Sequence, residues 1–175
     1  MLIAAAVCPH PPLLVPEVTG ASDPAVRELR RLRTACRDAV AALLGAAPDL
    51  LVVVGGAGQT AEYPAASGGS LRDFAVPFTV GADPVLPLSL TIGKWLLAGT
   101  VPSSPPVTWQ GIGSDAATAE CVSLGEKLAA LAPRVALLAM GDGPGRPSKP
   151  PSGGEKRPPH HRLHRRGKHG DRRRP

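Results

Sequence analysis

Three short, unbroken apolar runs constrain the fold of this chain more than any other feature: Leu2-Ile-Ala-Ala-Ala-Val7, Leu50-Leu-Val-Val-Val54 and Val135-Ala-Leu-Leu-Ala-Met140. None alternates with polar residues. Each stops at a turn signal, respectively Cys8-Pro9, Gly55-Gly-Ala-Gly58 and Gly141-Asp-Gly143. Runs of this length without alternation read as strands buried on both faces, the pattern of a parallel sheet covered by helices.

The segments between them read as helices. Asp23-Pro24 is a helix start, with the carboxylate as N-cap and proline in the first turn. Val26, Leu29, Leu32, Cys36, Val40, Leu43 and Leu44 then recur at helical spacing up to Gly45. Arg27, Arg30, Arg31, Arg33 and Arg37 lie mostly off that stripe; with Glu28 and Asp38 among them they read as a solvated face. Strand, helix and strand make a βαβ unit, so Leu50–Val54 is expected parallel to Leu2–Val7. Phe74 to Val80 is expected as a strand that Pro77 places at an edge or interrupts. Pro87 to Leu97 reads as a helix stopped by Gly99, and Val107 to Ile112 as a short strand. Ser114 or Asp115 is the expected cap of a further helix through Cys121, Val122, Leu128 and Leu131, ended by Pro133.

His10 falls just past the first strand. In an open α/β sheet that position borders the crevice where ligands bind, so His10 is a candidate ligand or base, set against the alternative of an ordinary loop histidine. Gly55-Gly-Ala-Gly58 ends the second strand at the same edge. A dinucleotide fingerprint needs a helix directly after its glycines, whereas Tyr63-Pro64 and Ser67-Gly-Gly69 indicate a loop; the glycines read as a sharp turn. The prolines from Pro11 to Pro16 imply an extended loop after His10.

Charge divides the chain. The 33 residues from Gly143 to Pro175 carry 11 Lys and Arg against Glu155 and Asp171, a net of +9, while Met1 to Asp142 has a net of −3. The tail has one large aliphatic residue, Leu163, and cannot bury enough apolar surface to offset chain entropy. It is expected to be disordered. His160, His161, His164 and His169 resemble a metal-binding tract by composition. Three cysteines outside any CxxC or Cys/His spacing suggest buried thiols in a reducing compartment, and no run is long enough for a signal or membrane segment. The expectation is a cytoplasmic protein with no membrane partner: residues 1–142 an α/β domain, three-layered with a mostly parallel sheet, and residues 143–175 a basic tail.

The opening Cys8-Pro-His-Pro-Pro-Leu-Leu-Val-Pro-Glu17, the run Asp49 to Val54 and Ala136-Leu-Leu-Ala-Met-Gly-Asp142, in this order, resemble the class III extradiol ring-cleavage dioxygenase family, in its subunit-B-like, alanine-rich actinobacterial branch. The resemblance covers about residues 1 to 142 and implies the N-terminal part of a family domain, incomplete at its C-terminus. It implies a role in aromatic-compound metabolism with Fe(II), held in catalytic members by two histidines and a carboxylate that leave positions open for a catechol and dioxygen. His10 matches the first histidine. The second should follow Val54, where Gly55–Gly58 stands, and no histidine occurs between His10 and His160. The family histidine that closely follows the Gly-Asp segment is also absent after Asp142, and the carboxylate ligand belongs to a later part of the family domain. Glu17 and Glu62 are the carboxylates nearest these positions, though neither matches a family ligand.

The resemblance therefore implies His10 as the single matched metal ligand, no assigned catalytic residue, and iron not bound by this chain. Two classes of function follow: a dioxygenase-like domain completed by a partner subunit or homo-oligomer, or a non-catalytic binding or scaffold protein. If later strands are absent, the strand ending at Met140 is expected to be partly uncovered. The change of composition at Gly143 also fits an out-of-frame translation of GC-rich coding DNA. If the tail contacts nucleic acid, its charge without interleaved aromatics predicts non-specific binding that collapses with salt. Titration against unrelated DNA sequences checks this, and a sequence-selective complex surviving roughly 0.3 M salt would contradict it.

Overall fold

The computed structural model describes residues 1–19, 26–100 and 105–142. All three apolar runs are strands: β1 (Leu2–Cys8), β2 (Leu50–Ala57) and β8 (Val135–Met140). With β7 (Val107–Gly113) and β3 (Ala61–Tyr63) they form one sheet in the order β1-β8-β2-β7-β3. The pairs β1–β8, β8–β2 and β2–β7 are parallel, and β3 is antiparallel to β7. The architecture is α/β with a mostly parallel sheet. A small second sheet orders β5 (Thr79–Val80), β4 (Ser67–Ser70) and β6 (Ala82–Pro84).

Side-chain alternation along the parallel strands sends two apolar sets to opposite faces. Leu51 and Val53 of β2, Ala136, Leu138 and Met140 of β8, and Cys8 of β1 join the main core beneath α1 (Val26–Gly45) and α2 (Leu88–Ala98). Cys36, Val40 and Leu43 supply the buried stripe of α1, as the periodicity predicts. The helix α2 is buried more widely, at Leu90, Ile92, Leu96 and Leu97 and also at Ser89, Thr91 and Gly93. On the other face Val52 and Val54 look towards α3 (Thr118–Ala129), none of whose residues is fully buried. Helices thus flank the sheet in three layers, packed tightly on one side and loosely on the other.

Several expectations are corrected. The strand ending at Met140 is not uncovered but internal, hydrogen-bonded to β1 and β2; the edge strands of this sheet among the described residues are β1 and β3. Gly55 and Gly56 are not a sharp turn, because β2 runs on through them to Ala57 in register with β7. Glycine is needed at Gly55 because an added Cβ would sit 2.5 Å from Ser89 Oγ at the start of α2. The stretch Tyr63 to Gly69 holds the last residue of β3 and the first three of β4 rather than only loop. Phe74 to Val80 keeps just two strand residues: a 3-10 turn covers Arg72–Phe74, and Ala75 has a positive φ of 59°. The helix α3 begins at Thr118, beyond the Ser114–Ala116 turn closed by Ala116 N–H to Gly113 O, so neither Ser114 nor Asp115 caps it. Val122 and Leu131 are exposed. The Asp23-Pro24 cap and the character of residues 143–175 lie outside the described residues.

No described helix is long and apolar enough to cross a membrane. The three cysteines are free thiols; Cys8 and Cys36 are buried against each other between β1 and α1, whereas Cys121 is exposed, against expectation. Burial, with Cys36 alongside, pushes the Cys8 thiol from 9.0 up to about 12, and burial raises Cys36 as well. The unfolded chain sheds these protons first, so stability should fall as pH rises from about 9 towards 12. Urea midpoints between roughly pH 8 and 10.5 should therefore drop less steeply in Cys8→Ala than in the parent. Identical slopes would show that burial of Cys8 does not disfavour its thiolate.

Candidate functional site

Parallel pairing places the C-terminal ends of β1 and β8 side by side, and the two residues that matter follow those ends. The N–H of Gly141 donates to Cys8 O at 3.0 Å, continuing the ladder one step beyond the strands. Asp142 Oδ1 then accepts the backbone N–H of His10, also at 3.0 Å. This carboxylate closes the end of the β1–β8 pair and holds the His10 backbone in place.

The same Oδ1 lies 3.7 Å from His10 Nδ1, too long for a hydrogen bond but close enough to attract an imidazolium. His10 Nδ1 is buried with no hydrogen-bond partner among the described residues, while Asp142 is exposed. A carboxylate on the Nδ1 side favours the Nδ1–H tautomer, which leaves Nε2 as the lone-pair nitrogen able to take a proton or bind a metal. Asp142 is the site residue that sequence reasoning missed. Gly141-Asp142 after the last strand was the available signal, but the adjacency of β8 to β1 is not written in residue order.

The donor set does not fit a ferrous site of two histidines and a carboxylate. His10 and Asp142 are two groups, and no cluster of three or more His, Cys, Asp or Glu side chains occurs among the described residues. Glu17, in a 3-10 turn, and Glu62, on β3, are both exposed on separate elements. Gly55 and Gly56 offer only backbone groups, and Gly56 O already accepts the Ser89 hydroxyl at 2.7 Å. The tail histidines from His160 onward lie outside the described residues.

The segment after His10 is a built part of the site, not a plain extended loop. Two 3-10 turns, Pro12–Leu14 and Pro16–Val18, drive Leu14 and Val15 fully into the core. They are tied down by Arg33, which the sequence pattern puts on a solvated face but which is buried. Its Nε donates to Leu14 O at 2.5 Å, and its Nη2 to Leu13 O at 3.0 Å and Thr19 Oγ1 at 2.9 Å. Burial, then the nearby Arg30 and Arg37, lowers the Arg33 pKa from its usual value.

Removing this fork leaves two carbonyls without their charged donor. Arg33→Ala should cost about 2 kcal/mol of stability, read from urea unfolding, and should speed proteolysis between Pro11 and Thr19. Arg33→Lys should recover only part of the loss, because an ammonium lacks the planar fork.

Comparison of the sequence with protein-family models and with curated proteins returns no match.

Proposed function

We propose that this chain is a class III extradiol dioxygenase-like domain of the subunit-B type that does not cleave catechols by itself and acts in the cytoplasm as a non-catalytic binding domain or as one part of an assembly. The observation that carries this reading is the pairing of His10 with Asp142 at the C-terminal edge of a parallel sheet. The position suits a ligand-binding crevice, but the side chains present are one imidazole and one carboxylate. Such a pair can orient and hold a polar group, or accept a proton from it. Fe(II), when bound in the family, brings catechol and dioxygen together on one centre; that chemistry needs a third protein donor, which a partner subunit would have to bring. The free thiols Cys8 and Cys36 support a reducing compartment.

The test is anaerobic loading of the full chain with ferrous iron, followed by oxygen uptake with catechol, in the parent and in His10→Ala. The expected result is no iron that depends on His10 and no ring cleavage; metal held equally by both proteins belongs to the tail histidines. One ferrous ion per chain that is lost on His10→Ala, with catechol cleavage in the parent, would overturn the non-catalytic reading.

A further inference from the structure

On the face of the sheet away from the main core, α3 does not seat on the strands. A cavity of about 370 Å³ lies between them. Val52, Val54 and Ile112 line it from the sheet, and Leu124, Gly125 and Leu128 from the helix. Its lining runs from Leu2 and Val135, at the starts of their strands, to Ile112 near the end of β7, and includes neither His10 nor Asp142. It is therefore a site separate from the crevice.

Protein interiors rarely leave gaps larger than a water molecule, and an apolar gap does not hold water well. Among the described residues no charged side chain and no amide or hydroxyl side chain lines this one, so none of them would orient or neutralise a polar ligand there. Its helical wall runs from Cys121 to Ala129, about 12 Å at the helical rise, which makes it elongated. A cavity of about 150 Å³ accepts benzene, so by proportion this one holds a chain of roughly 10 to 15 carbons.

Gly125, in the helical wall, has room for a side chain: among the described residues an added Cβ would meet nothing within 4 Å.

We propose that the cleft between α3 and the sheet is a binding site for the hydrocarbon chain of a medium-chain acyl or alkyl compound, with its polar end in solvent and Cys121 at the rim. Cys121 lines the cavity and is the exposed thiol, while Cys8 and Cys36 are buried, so its alkylation reports occupancy directly.

The experiment uses the full chain with dodecanol and, separately, dodecanoate. Stoichiometry is read by native mass spectrometry, Cys121 alkylation by iodoacetamide, and association state by sedimentation. One chain-length probe per protein and an alkylation rate at least tenfold slower at saturation are expected, with dodecanol binding at least as well as dodecanoate. Gly125→Leu should fill the cleft, keep or raise the melting temperature and abolish protection. If that variant does not fold, Ala129→Phe fills the cleft from the other end of the helical wall and should likewise abolish protection. The proposal is overturned if neither probe protects Cys121 in the parent, or if a folded filled variant is protected as well as the parent. It is also overturned if a second copy already covers Cys121 before any probe is added.

Discussion

The last of the described strands, β8, holds the first two together, and everything at the candidate site depends on that pairing. β8 hydrogen-bonds to β1 on one side and β2 on the other, so the sheet cannot close until residues 135–140 arrive between strands formed far earlier in the sequence. The chain start is bound into the same joint: the Met1 ammonium donates to Ala132 O and Pro133 O, and Val135 N–H donates to Met1 O, all at 3.0 Å. Contacts of such long sequence separation pay loop-closure entropy before they return any stabilisation, which makes this core slow to assemble and cooperative once formed.

The two faces of the sheet are stabilised unequally. One is closed by α1, α2 and the proline turns, with Leu14, Val40, Leu90 and Leu96 essentially buried. Arg33 ties the proline turns to α1, so the backbone beyond His10 is held by a charged fork as well as by apolar burial. Among the described residues the other face is covered only by α3, whose residues are at most half-buried, and Val7 and Leu2 are exposed along β1. A sheet built this way has one face tightly packed and the other loosely covered among the described residues.

The residues and the fold agree on where polar chemistry is possible and how much of it there is. His10 and Asp142 each lie two residues past the ends of adjacent strands, and the carboxylate serves the backbone before it serves the imidazole, through the shorter 3.0 Å contact. Of the glycines after Val54, Gly55 excludes a side chain through Ser89, while Gly56 and Gly58 have open space among the described residues. A side chain at Gly55 would thus require the start of α2 to move.

By itself the sequence determined the three parallel strands, the main helices with their inward stripes, and the place of His10 at a strand end. Unbroken aliphatic runs and a 3.6-residue period are local signals that hold whatever the neighbours are. It could not show that β8 lies between β1 and β2, that Asp142 therefore meets His10, or that Gly55 is a packing contact and not a turn. Nor could it separate Arg33 from the other arginines of α1, since only the returning proline turns turn that position inward. Each of these depends on which distant segments become neighbours, and that was decided only when tertiary packing set the strand order and the approach of each helix to the sheet.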